Sequence, residues 1–218
     1  MSWKAKVEAT CFDAGQFPLE TFSSDGAPLV PEVAVAGRSN VGKSSLVNAL
    51  LGARLAHVGA TPGKTRSVNF YSVAGDGAVF RLVDLPGYGY AQRSKAERRG
   101  WSRLTASYVE KRKSLALVCH LVDFRHGLLA NDRALQGWLS EQGRPILVVF
   151  TKADKTAKSK RRVVLQQYVR DGLLSIDAPL VTSAEEPFGI ADLQALLEGY
   201  ASQGRPPHPT GQTHEHHA

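Results

Sequence analysis

Gly37-Arg38-Ser39-Asn40-Val41-Gly42-Lys43-Ser44-Ser45 lies between an apolar run, Val33-Ala34-Val35-Ala36, and a segment whose Leu46, Val47 and Leu50 fall at helical spacing. A strand, a Gly-bounded loop carrying Lys and Ser, and a helix together make a phosphate-binding loop, G-x-x-x-x-G-K-[ST]. Successive backbone amides line a concavity for phosphate oxygens, and the helix start adds a favourable dipole. Gly37 and Gly42 let the chain close round the phosphates with no Cβ in the way. Lys43 has the reach for β- and γ-phosphates, and the Ser44 hydroxyl suits Mg²⁺. The stretch reads as a nucleotide-binding loop.

Outward from this loop, the 218 residues suit one domain with short extensions and a sizeable core. No apolar run approaches a membrane span, and the first six residues, Met1 to Lys6, lack the features of a signal peptide. Two cysteines, Cys11 and Cys119, make no disulfide framework, and Cys119 sits in an apolar run that suits a buried thiol. The cytoplasm is the expected location. The formal charge of +7 is concentrated: residues 91–113 hold eight Lys or Arg against two acids, and 152–170 hold seven against one. These two stretches carry +12, leaving −5 on the rest, which points to a polyanionic partner or to two solvated helix faces.

Residues 1–30 read as an N-terminal extension in which Val7 to Phe12 can add a strand, and Gly26, Pro28 and Pro31 mark a loop leading into the first core strand. Residues 31–203 form the main domain. Gly52 to Arg66 is a long loop, Ser67–Val73 and Ala78–Val83 are strands joined by the turn Gly75-Asp76-Gly77, and a basic helix spans about Ser94 to Arg112. Leu115–Asp123, Ile146–Phe150 and Leu180-Val181 read as buried strands, alternating with helices over Leu129–Leu139, Lys158–Val169 and Ile190–Tyr200. The expectation is an α/β fold: about six strands, mostly parallel with one antiparallel, and helices on both faces. Residues 204–218, rich in Pro and His, are expected to be a disordered tail.

Three further motifs choose the base and the metal. Asp84-Leu85-Pro86-Gly87 ends a strand as D-x-x-G, where Asp84 can hold Mg²⁺ through water and the Gly87 amide can face a γ-phosphate. Thr151-Lys152-Ala153-Asp154 fits [NT]-K-x-D: the Asp154 carboxylate accepts from guanine N1–H and N2–H₂. Adenine offers no such donor pair, so ATP would leave that carboxylate unpaired. The Lys152 stem suits the purine face. Thr182-Ser183-Ala184 follows the next strand, with the Ala184 amide placed for guanine O6. All fall in order after expected strands, on the edge where such sheets bind ligands. The constellation describes a GTP site.

These segments, together with Thr61-Pro62-Gly63-Lys64-Thr65-Arg66, Tyr88-Gly89-Tyr90-Ala91 and Val122-Asp123-Phe124-Arg125-His126, resemble the EngB (YihA/YsxC) family over about residues 5–200. The resemblance implies a Ras-like GTPase of the P-loop NTPase fold, binding GTP or GDP with Mg²⁺. It further implies a role in late assembly of the bacterial large ribosomal subunit and in septation, with the subunit precursor (ribosomal RNA and proteins) as partner. The metal set it implies is Ser44, Asp84 and Thr65, with Gly63 and Lys64 beside the nucleotide; Thr61 is the rival to Thr65. Lys43, Thr65 and Asn40 are the candidate catalytic residues. Asn40 resembles residues that recruit K⁺ beside the phosphates, or it stabilises the loop through its own amide.

Ras-like enzymes carry Gln after the D-x-x-G glycine, whereas here Tyr88 stands there, so intrinsic hydrolysis is expected to be slow. Arg93, Lys95, Arg98, Arg99 and Arg103 follow the second loop and are the candidate RNA contacts. Trp101 and Tyr108 lie among them, with packing preferred over base stacking. Asp123, Arg125 and His126 read as a strand-end turn with local hydrogen bonds. The expected form is a monomeric switch with no membrane role; the alternative is an RNA-binding assembly factor that uses GTP as a structural ligand.

Overall fold

The structure, a computed structural model, describes residues 3–57, 67–88 and 95–203, with the backbone alone for 95–102. Strands β1 (Lys4–Cys11), β2 (Glu32–Gly37), β3 (Val68–Ala74), β4 (Val79–Asp84), β5 (Leu115–Asp123), β6 (Ile146–Thr151) and β7 (Leu180–Val181) form one sheet. Its order is β1-β3-β4-β2-β5-β6-β7. Helices α1 (Lys43–Leu51), α2 (Lys95–Lys111), α3 (Ala130–Glu141), α4 (Lys158–Arg170) and α5 (Ile190–Ser202) cover it.

The hairpin turn after β3 closes through Gly75 N–H to Ala78 O at 2.9 Å. It sets β3 antiparallel to β4, and β1 pairs antiparallel to the other edge of β3, so β3 alone runs against the common direction of the other six strands described. The pairs β2–β4, β2–β5, β5–β6 and β6–β7 are parallel. The expected six strands become seven because the N-terminal segment adds an edge strand, beginning three residues before Val7.

Alternation along each strand sends side chains to two separate cores. Val33, Val35, Leu82, Leu117, Cys119 and Leu121 pack with Leu46, Leu50, Leu193 and Leu197 of α1 and α5. Ala34, Ala36, Val83, Val118 and Val122 face the other way, toward Leu104 and Tyr108 of α2, Leu139 of α3 and Tyr168 of α4. Small residues in β2 let helices approach both faces of the central strand. Tyr108 is fully buried and packs on Phe70, in line with the packing role expected of it, while the Trp101 side chain lies outside the described residues.

The base of the domain is held by one buried carboxylate. Glu32 opens β2 and pairs with Arg112, receives the Tyr108 hydroxyl at 3.0 Å and has Arg81 at 3.5 Å. Arg112 also donates to Pro18 O at 2.8 Å, so the N-terminal segment is tied to the end of α2. A buried charge needs such saturation, because each unpaired ion in the interior costs several kcal/mol (about 3–5 once one partner is removed).

Candidate functional site

On one side of β2 lies β4 and on the other β5, so the chain order reverses beside β2 and opens a crevice at the strands' carboxyl ends. The loops after β2, β4, β6 and β7 all meet there. In the first of them Asn40 has φ 66 and Gly42 has φ 99, and α1 starts at Lys43. Asn is among the few side chains that tolerate this left-handed geometry, which gives Asn40 a local structural reason of its own. Ser44 and Ser45 lie half-buried in the first turn of α1.

The β4 loop is stitched to the β2 loop. Leu85 N–H donates to Val35 O at 3.1 Å, Tyr88 N–H to Gly37 O at 3.2 Å, and Ser39 N–H to Tyr88 O at 2.9 Å. A Cβ at Gly87 would stand 3.1–3.2 Å from the Ser39 Oγ, Cα and N, so glycine permits this close approach. Lys43 and Asp84, 7% and 2% exposed, form an ion pair at the floor of the crevice. The Lys43 ammonium suits phosphate charge, while the Asp84 carboxylate and a hydroxyl at the start of α1 are hard oxygen ligands of the kind Mg²⁺ takes.

The β6 loop reaches over the same place. Thr151 Oγ1 donates to Val41 O at 2.6 Å, and Lys152, itself at φ 56, donates from Nζ to Asn40 O at 2.5 Å. A Cβ on Gly42 would meet Lys152 Cε at 3.5 Å, so the lysine stem runs across the phosphate loop. Lys152 Nζ also lies 3.3 Å from Asp123 Oδ2. Asp123 accepts from Arg125 Nε at 2.9 Å and from the Arg125 amide at 3.1 Å, the strand-end turn that the sequence suggested. Burial would raise the Asp123 carboxyl, but the Arg125 hydrogen bonds and the Lys152 charge outweigh it and bring it down to about 2.

At the far end, the β7 loop supports the Asp154 carboxylate. Ala153 N–H donates to Thr182 O at 3.2 Å, and Ser183 Oγ donates to Asp154 Oδ1 at 2.6 Å. Burial works to raise the Asp154 carboxyl; Ser183 and Lys155, the latter 3.1 Å from Oδ2, hold it below the usual range. Ser183 itself is fully buried, with Ala184 following it half-buried.

The structure thus gathers Gly37–Ser45, Asp84–Gly87, Thr151–Asp154 and Thr182–Ala184 along one sheet edge. Thr61, Gly63, Lys64, Thr65 and Arg93 lie outside the described residues, as do the side chains of Lys95, Arg98 and Arg99 on α2. Arg103 is exposed on that helix.

Sequence reading missed one group. Tyr88 is 7% exposed, and its ring turns inward between β5 and α3 instead of packing over the phosphates. Its hydroxyl meets Asp132 Oδ1 at 2.6 Å and His120 Nε2 at 2.7 Å. The only hint in the sequence is His120 itself, a polar residue set inside the apolar run that forms β5.

Residues 32–152 match the family described as 50S ribosome-binding GTPase. The chain is 49% identical to the probable GTP-binding protein EngB of Pelotomaculum thermopropionicum over 77% of its length and 84% of the relative's. Against the EngB of Kosmotoga olearia it is 38% identical, over 89% of this chain and 97% of that one. Among solved structures, Aquifex aeolicus Era superposes with a TM-score of 0.68 at 22% identity, over 83% of this chain and 60% of Era. A probable GTP-binding protein engB gives 0.60 at 23%, over 79% and 99%. Those two likenesses speak for the fold. Taken with four loops that converge on a phosphate cradle and a supported carboxylate, the sequence relatives settle the family: the chain belongs to the EngB family of GTP-binding proteins.

Proposed function

We propose that this chain is a GTP-driven switch in late assembly of the bacterial large ribosomal subunit, needed for septation and acting in the cytoplasm. The observation that carries the nucleotide part is the shared edge on which Lys43 and Asp84 stand at one end and the Ser183-supported Asp154 at the other. The loop of residues 37–42 would cradle the phosphates, with Lys43 opposing their charge. Asp154 would accept the two guanine donors, and Lys152 would lie against the purine. Ser44 and Asp84, with Thr65, are the residues that would hold Mg²⁺, whose charge stabilises the reacting phosphates.

Slow intrinsic hydrolysis is part of this reading. The Tyr88 hydroxyl is engaged with Asp132 and His120, so it does not orient an attacking water. K⁺ beside Asn40 is the proposed compensation. Equal turnover in KCl and NaCl would remove it.

The ribosomal part is supported by the family, by the basic character of α2 and α4, and by Arg103 on the exposed side of α2. Era, a fold neighbour, has been solved with nucleotides of 16S ribosomal RNA. No described helix is long and apolar enough to cross a membrane. Calorimetry with GDP, GTP and ATP tests the first part: binding of guanine nucleotides without ATP is expected, and equal ATP affinity would overturn it. Co-sedimentation with ribosomal particles tests the second, expecting association with large-subunit precursors that is stronger with GTP than with GDP.

A further inference from the structure

Tyr88, His120, Asp132 and Gln136 are brought together from a loop, the middle of β5 and two turns of α3. All four are buried, and His120 is 0% exposed. The hydrogen-bond geometry runs in one direction. Gln136 Oε1 accepts from Leu174 N–H at 3.2 Å and Gln136 Nε2 reaches Leu174 O at 3.3 Å, which orients the amide. Its NH₂ therefore faces His120 Nδ1, at 3.2 Å, as donor. His120 then carries its proton on Nε2 and donates to Tyr88 Oη at 2.7 Å, and the Tyr88 hydroxyl donates onward to Asp132 Oδ1 at 2.6 Å. Asp132 Oδ2 closes the chain by accepting from Leu129 N–H at 2.9 Å. Every link has one donor and one acceptor, and the last acceptor is ionised, the arrangement in which such bonds reinforce one another.

This chain grips the residue that follows Gly87. The Tyr88 backbone is already bonded on both sides to the phosphate loop, through Gly37 O and Ser39 N. The side chain adds a second anchor on the opposite side of the sheet edge. Between these anchors Gly87 packs directly on Ser39, where a Cβ would stand 3.1–3.2 Å from its Oγ, Cα and N.

We infer that Tyr88 is a positioning residue for the third phosphate: the His120–Tyr88–Asp132 chain fixes the Gly87 amide where GTP, and not GDP, would use it. This rests on the GTP-binding reading above. It assigns to His120, Asp132 and Gln136 a part in telling the two nucleotides apart, although none of them lies on the nucleotide loops. A purely structural role for the cluster would affect both nucleotides alike, because both share the β2 and β6 loops.

The experiment is a fluorescence titration of the full chain with N-methylanthraniloyl GDP and with the corresponding non-hydrolysable GTP analogue. Tyr88→Phe keeps the ring and removes the hydroxyl. Asp132→Asn keeps the shape and removes the charge that ends the chain. For each variant the GTP-analogue affinity is expected to fall about tenfold while GDP affinity stays within about twofold. Equal losses for both nucleotides, or no loss for either, would overturn the inference. If Tyr88→Phe no longer retains GDP because it has unfolded, Asp132→Asn decides by the same ratio. Failure of the parent protein to bind either nucleotide would instead sink the GTP-binding reading.

Discussion

Ser183 Oγ donates to Asp154 Oδ1 at 2.6 Å, so the loop after the shortest strand fixes the carboxylate carried by its neighbour. A carboxylate held in this way keeps its charge and its orientation for a bidentate partner. Asp154→Asn is expected to lower GDP and GTP affinity by about 100-fold or more, and Ser183→Ala by about tenfold, in calorimetric titrations. Because the Asp154 carboxyl is held below its ordinary range, its own contribution to affinity, read as the difference between the parent and Asp154→Asn, should persist as pH falls from 7 and be lost only below that range.

Asp123 offers a separate pH test. Its carboxyl is brought down to about 2 from an ordinary 3.8, so its contribution to stability is full above 3.8 and disappears as pH falls through about 2. Asp123→Asn should be less stable than the parent at neutral pH in urea titrations. The gap between the two should narrow below pH 3.8 and close near pH 2.

Lys43 and Asp84 neutralise each other at the crevice floor. Removing the lysine alone leaves a buried carboxylate without its partner, so Lys43→Ala should destabilise the protein by about 3–5 kcal/mol as well as abolish nucleotide binding. Replacing both, as in Lys43→Met with Asp84→Leu, should restore most of the stability and none of the binding. Denaturant titration beside a nucleotide titration separates the two outcomes.

Arg103 is the one candidate RNA contact on α2 whose exposed side chain is described. Arg103→Glu is expected to weaken co-sedimentation with ribosomal particles. If it meets a phosphate, the slope of log affinity against log salt should fall by about one or more. Unchanged association, with unchanged salt dependence, would move the partner surface away from this helix.

Much of the fold was legible because it rests on local rules. The apolar run of β2, the glycine-bounded loop and the spacing of Leu46, Val47 and Leu50 each state their own conformation. The turn at residues 75–77 is equally self-evident, and it makes β3 antiparallel to β4. The motif residues could be assigned to loops for the same reason: each directly follows a strand. Harder to read was β1, whose pattern is mostly exposed and broken between Val7 and Ala9, so its place at the edge depends on β3.

What chain order alone determined was the identity of the candidate site groups: Lys43, Asp84, Lys152 and Asp154 are recognisable by type and position. Only the tertiary structure decided how they are held. Ser183 and Asp154 are 29 residues apart, and Gln136, His120, Tyr88 and Asp132 come from three elements with no common spacing. Their pairing follows from strand order and from the cost of burying a polar atom without a partner, neither of which leaves a periodic mark in the sequence.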